Sequence, residues 1–296
     1  MINMININNI NKKTLIIITL LVLFIIFLVY FKNNKYENFT EVNSDNFNNN
    51  FNINNCLDTM TCTYVINLQK DIERRQFIET HFKEHDISFN IFNAVNGMEL
   101  DLEKLRNEKT LKDKERPLTK GETGCYLSHI DIWKKFLSSN NKFCLIFEDD
   151  IELCKNFKTK INNTLKELEN YNNNLNNDVI DAIYLNHEMH CKLFFGDYEC
   201  NKHVIPENLT NIQKPFRLGY GMFGYILTRE GVKKILNYGL PITMPIDVLM
   251  HYLNQISLMN IMKTIEPYVL HTGKYSNTQN IEANTIKSED NIKTEE

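Results

Sequence analysis

The stretch TYVINLQKDIERRQFIETHFKEHDISFNIFNAV, Thr63 to Val95, decides the fold. TYVINL, Thr63 to Leu68, is a short β-branched apolar run of the kind that fills a buried strand. DIERRQFIETHFKEHD follows, with Ile72, Phe77, Ile78 and Phe82 at helical spacing. SFNIFNAV, Ser88 to Val95, returns to strand chemistry and closes on the turn signal Asn96-Gly97. Strand, helix and strand within about 30 residues form a βαβ unit, whose crossover makes the two strands parallel.

The alternation continues down the chain. LTKGETGCYLSHIDIWKKFL reads as a helix, with Thr119 and Glu122 in a capping-box pattern and Leu127, Ile130, Trp133 and Leu137 as its apolar stripe. KFCLIF is a third strand, FKTKINNTLKELENY a helix and DAIYLN a fourth strand. Residues 187–215 read as loop. GYILTREGVKKILNYG is a strand running into a helix with Gly239 at its C-cap, PIDVLMHYLNQISL a helix starting near Asp247, and TIEPYVLHTG a late strand. Strands alternating with helices predict a doubly wound α/β domain over residues 62–284, in which ligands bind beyond the carboxyl ends of the strands.

The flanks have other chemistry. Thr14 to Phe31 is an uncharged apolar run, close to the length that crosses a bilayer as a helix. No small-residue cleavage site follows, so it reads as an uncleaved signal anchor after a short tail, residues 1–13. Residues 32–61 are Asn-rich and aperiodic, a stem, and residues 285–296 are a charged tail expected to be disordered. This layout predicts a single-pass type II membrane protein of the secretory pathway (ER/Golgi) or an equivalent membrane. The chain has 296 residues, 24% of them charged, and a net charge of −4. With no basic face, a nucleic-acid partner is excluded. Its seven cysteines include no C-x-x-C and no familiar zinc spacing. Cys125 and Cys144 read as buried free thiols, and Cys191 and Cys200 could bridge in an oxidising compartment.

Polar groups gather where the strands end. The third strand runs into Glu148-Asp149-Asp150. Three acids there can be the first turn of a helix, a cradle for a hard divalent cation such as Mg²⁺ or Mn²⁺, or an acid/base site. If the strand stays extended, Glu148 and Asp150 share a face and Asp149 points away.

The series INLQKDIERR, FNAVNG, LTKGETGCYLSHIDIW, LIFEDDIEL, then GYILTREGVKKIL and PIDVLM, resembles the ordered motifs of glycosyltransferase family 25, which holds lipopolysaccharide-type and procollagen galactosyltransferases. The resemblance covers about Thr63 to Ser276. It implies a GT-A-like, Rossmann-related fold, a UDP-sugar donor (UDP-galactose or UDP-glucose), Mn²⁺ or Mg²⁺, and inversion at the anomeric carbon. It places Glu148, Asp149 and Asp150 in the metal-binding role, with His271 a further candidate ligand. On that footing Arg74 or Arg75 could contact phosphate, and Asn67, Asn96 and Gly97 the nucleoside. Asp247 is the first candidate for the base that deprotonates the acceptor hydroxyl, and Glu188 the second. The expected function is transfer of a hexose to a hydroxyl on protein or glycan. The alternative is a transferase-like binding or scaffold protein without catalysis.

Overall fold

The computed structural model describes residues 56–112, 116–174, 179–185, 203–206 and 209–272. The expected βαβ unit is present: β1 (Thr61–Asn67), α2 (Ile72–Glu84) and β2 (Asn90–Asn93), with β1 and β2 parallel and Ile66 opposite Phe92. Ahead of β1 lies α1 (Cys56–Met60), whose Cys56, Leu57 and Met60 are buried. The stretch read as stem therefore already contributes to the core at its end. After β2 come a 3₁₀ turn (Gly97–Glu99), α3 (Leu102–Asn107) and α4 (Lys120–Leu137). The Thr119–Glu122 capping box forms as expected, each side chain taking up the other residue's backbone N–H.

β3 (Phe143–Glu148) pairs parallel with β1. It is apolar on both faces, as a central strand must be when helices cover both sides. Cys144 and Ile146 join the core cluster of Trp133, Val232 and Leu249, while Phe143, Leu145 and Phe147 join that of Ile78, Phe82, Phe157 and Leu165. The sheet is thus a middle layer between α4, α6 (Arg229–Gly239) and α7 (Ile246–Gln255) on one face and α1, α2 and α5 (Phe157–Asn174) on the other.

The remaining described strands are β4 (Ile151–Leu153), β5 (Ala182–Tyr184), β6 (His203–Val204), β7 (Ile212–Pro215), β8 (Gly224–Thr228), β9 (Ile261–Thr264) and β10 (Val269–His271). The large sheet has the order β2-β1-β3-β8-β5-β9-β7-β6. It is mixed rather than wholly parallel. β8 inserts antiparallel between β3 and β5, and β7 runs antiparallel to β9. Nothing in GYILT announces that direction, because a strand buried on both faces looks the same either way. β6 and β7 lie within residues 187–215, so part of the expected loop is sheet.

Two punctuation signals have other causes. Gly239 is the last helical residue and is not in the left-handed region. A Cβ there would stand 2.4 Å from the Tyr126 hydroxyl, which donates to the Gly239 carbonyl. Asp247 does not cap α7; Pro245 holds that position and Asp247 lies inside the first turn. No helix among the described residues is long and apolar enough to cross a membrane. The Thr14–Phe31 run, the 285–296 tail, Glu188, Cys191 and Cys200 lie outside the described residues.

Candidate functional site

β1 and β3 end side by side, and their ends build the site. β3 stops at Glu148 and the chain bends at Asp149 and Asp150 before β4 begins. The bend overrides the alternation expected of an extended triplet. Asp149 and Asp150 converge on one guanidinium: Arg74 Nη1 is 2.8 Å from Asp149 Oδ1 and 3.5 Å from Asp150 Oδ2. Glu148 instead belongs to a group with Cys125 and His129 of α4. The face-sharing pair is therefore Asp149–Asp150, not Glu148–Asp150.

Asn67, the last residue of β1, is buried and donates from Nδ2 to Asp149 Oδ2 at 2.7 Å. It positions the acid, and its Oδ1 has no hydrogen-bond partner among the described residues. Arg74 comes from α2, one turn before Ile78 and two before Phe82, so it lies on the helix's inward stripe. Arg75, one step around, is half-buried and pairs with Glu79 at 2.9 Å. Of the two candidate arginines, only Arg74 reaches the acids.

β10 supplies the other wall. It pairs antiparallel with β4, with His271 opposite Ile151, and the Thr272 N–H donates to the Asp150 carbonyl at 2.8 Å. His271 Nε2 thereby comes to 3.3 Å from Asp150 Oδ2. The short β4–β10 ladder is what brings a residue 121 positions downstream onto the acidic motif.

Burial dominates the electrostatics. It pushes the Glu148 carboxyl well above its ordinary range, and Asp150, Asp149 and Asp247 add to the effect. Burial also raises Asp149, against the opposing hydrogen bonds from Arg74 and Asn67. Burial acts against the Arg74 charge too, yet the bond to Asp149 and the nearby carboxylates leave it above its usual value. The partners differ because Arg74 faces two acids, whereas Asp149 has one cation and a like-charged neighbour.

A cavity of about 230 Å³ opens beside these groups, bounded by Arg74, Ala94–Gly97, Gly121 and the acids. Its wall depends on two glycines. A Cβ on Gly97 would be 2.1 Å from the Lys120 carbonyl oxygen, and one on Gly124 would be 2.8 Å from Gly97 Cα. Gly97 is thus required by the packing of the 3₁₀ turn on the start of α4. Asn96 caps that turn, accepting from Met98 N–H at 3.2 Å and donating to Glu99 at 2.6 Å. Both residues line the cavity. Ser128 Oγ accepts from Val95 N–H and donates to the Gly124 carbonyl, fastening the wall to α4.

A family model described as Glycosyltransferase family 25 (LPS biosynthesis protein) matches residues 60–250, more than half of the chain. The chain belongs to glycosyltransferase family 25. Curated relatives include a glycosyltransferase 25 family member of Aedes aegypti, 31% identical over 58% of this chain and 27% of its own length. Human procollagen galactosyltransferase 2 is 27% identical over the same shares, 58% and 27%. A putative glycosyltransferase of Haemophilus influenzae is 30% identical over 62% of this chain and 59% of that protein. The chain thus spans about a quarter of the length of these animal relatives and somewhat over half of the bacterial one. In this family 25 chain, the motif LIFEDDIEL forms β3, the bend and β4, and INLQKDIERR supplies both Asn67 and Arg74.

The acids fit a hard divalent ion. Asp150 is buried, and its Oδ1 has no hydrogen-bond partner among the described residues. A buried carboxylate oxygen without a donor costs free energy that an ion would recover. Oxygen donors with one imidazole suit Mg²⁺ or Mn²⁺. Asp150 and His271 would hold the ion, with Asp149 beside them.

Asp247 stands apart from this group. Its Oδ2 accepts from Gly221 N–H at 3.0 Å and its Oδ1 from Val248 N–H at 2.8 Å. Gly221 has φ +95°, so the carboxylate pins a turn that favours glycine. Cys125, expected as a buried free thiol, is only part-buried and lines the cavity together with His129, which was given no role from sequence. Their i,i+4 spacing on one helix face was the available signal.

Proposed function

We propose that the chain transfers a hexose from a UDP-sugar to a hydroxyl on a protein or glycan acceptor, on a GT-A-type domain, with metal assistance and inversion. The observation that carries this is the convergence of Arg74, Asp149, Asp150 and His271 at the carboxyl ends of β1 and β3, where open α/β sheets bind ligands. Membership of family 25 supports the transferase class.

A divalent ion at Asp150 and His271 would offset the charge that grows on the departing diphosphate. Asn67 and Arg74 fix Asp149, so this part of the site is set before donor binds. The cavity beside Ala94–Gly97 takes the nucleoside, and Arg74 adds positive charge on the diphosphate side. Asp247 takes the proton of the acceptor hydroxyl. Its oxygens accept the Gly221 and Val248 backbone N–H groups, which fix the orientation of the carboxylate. Attack on the face opposite the leaving group inverts the anomeric centre. Thr14–Phe31 anchors the chain, as the uncharged span supports, with its domain on the lumenal side.

A donor screen tests this reading. The protein is incubated with Mn²⁺ and a panel of nucleotide sugars and scored for nucleotide release. Release from UDP-galactose or UDP-glucose, lost in excess chelator, is the expected result. No release from any donor, with no UDP binding, would leave a non-catalytic family member. Protease protection of the domain in sealed microsomes tests the topology; digestion without detergent contradicts it.

A further inference from the structure

We propose that Cys125, His129 and Glu148 form a second metal site, for a borderline-soft divalent ion of the zinc class. The site is independent of the transferase reading. One donor atom from each residue lies within 4.8 Å of the other two. An ion at about 2.0–2.3 Å from each ligand would draw the three to within roughly 4 Å, a small rotamer adjustment.

His129 carries the argument. It is fully buried, and its Nδ1 is 2.7 Å from the Tyr225 hydroxyl. Its other ring nitrogen, Nε2, has no partner among the described residues. The Tyr225 oxygen also accepts from Trp133 Nε1–H at 3.2 Å. An imidazole whose outer nitrogen is held by a hydrogen bond while the inner one is open is the arrangement that presents a metal ligand.

The other two ligands complete it. Cys125 precedes His129 by one helical turn, so both project from the same face of α4. Glu148 meets them from the end of β3. Burial holds the Glu148 carboxyl and the Cys125 thiol well above their ordinary ranges, and neighbouring carboxylates push further the same way. With the Cys125 thiolate, the Glu148 carboxylate and neutral His129 as ligands, a divalent ion leaves no net charge among the four. Thiolate, imidazole and carboxylate make a zinc-type donor set, distinct from the harder set at Asp150 and His271. All three residues line the cavity, so the fourth position opens into it. This assignment commits Glu148 to α4 and leaves the donor's metal to Asp149, Asp150 and His271.

Cobalt substitution tests it. The full chain is stripped with chelator, titrated with Co²⁺ and read in the near ultraviolet, where a cobalt–thiolate bond gives a charge-transfer band. The band is expected in the parent, absent in Cys125→Ser and retained in Asp150→Asn. No band at saturating Co²⁺, or a band surviving Cys125→Ser, overturns the proposal. A band lost equally in Asp150→Asn reduces the two sites to one and also overturns it. Should Cys125→Ser not fold, Glu148→Gln serves: Zn²⁺ affinity should fall at least about tenfold, and unchanged affinity overturns the site. Mn²⁺-dependent UDP binding, measured alongside, tests the donor site separately.

Discussion

Arg74 donates to Asp149 at 2.8 Å while its same nitrogen stands 3.5 Å from Asp150, so one guanidinium spans both acids of the bend. Removing it would leave two adjacent carboxylates, both shielded from water, facing each other. Arg74→Ala should cost about 2 kcal/mol of stability at neutral pH, below the range for fully buried pairs because both side chains keep some solvent. Adding Asp149→Asn should restore part of that loss. Urea unfolding of the two single mutants and the double mutant checks this. A double mutant no more stable than Arg74→Ala would contradict the pairing.

Gly97 and Gly124 set how closely the 3₁₀ turn approaches α4. The obstacle at Gly97 is backbone, which cannot rotate aside. Gly97→Ala should therefore cost about 1–3 kcal/mol and weaken UDP binding by displacing the cavity wall. Gly239→Ala would meet the Tyr126 hydroxyl instead, away from the cavity residues. It should destabilise with little effect on UDP affinity in the protein that remains folded. Thermal melts and UDP titrations of the two variants distinguish these outcomes; equal losses of affinity would count against the assignment of the wall.

His129 imposes a pH dependence. Burial pushes its pKa down from 6.5 to about 3, so the folded chain stays unprotonated there while the unfolded chain takes up a proton below 6.5. Stability should fall with decreasing pH through that window, by up to about 1.4 kcal/mol per unit from this one group. Burial lowers His81 and His251 as well, with the same sign. In chelator, His129→Asn, which can still reach Tyr225, should show a shallower slope between pH 6 and pH 4 than the parent. Identical slopes would mean that His129 is protonated in the folded state.

Much of this was legible in the residues. The β1-α2-β2 unit follows from periodicity, and the capping box was visible in Thr119 and Glu122. Arg74 could have been chosen over Arg75 from the stripe Arg74–Ile78–Phe82 alone. Other features depend on tertiary pairing. The direction of β8 leaves no trace in a uniformly apolar strand. The bend after Glu148 reversed which acids converge, because local extension gave way to the start of β4. His271 reaches Asp150 only through the β4–β10 ladder, which no short-range pattern encodes. Cys125-x-x-x-His129 was visible, but its third member arrives from β3.

Asp247 links two properties that a single substitution can separate. Asp247→Asn keeps one oxygen, for either the Gly221 or the Val248 N–H but not both, and cannot accept the acceptor's proton. Transfer should fall by about 10²–10⁴-fold, with UDP affinity near that of the parent and a melting temperature lowered by the loss of one N–H contact. Undiminished transfer would assign the base elsewhere.

The central claim is that Asp150 holds the ion that binds the donor diphosphate. Calorimetric titration of UDP into parent and Asp150→Asn, with and without Mn²⁺, tests it most directly. The account predicts that Mn²⁺ tightens UDP binding in the parent and has no such effect in a folded Asp150→Asn. Equal Mn²⁺ enhancement in both proteins would contradict it.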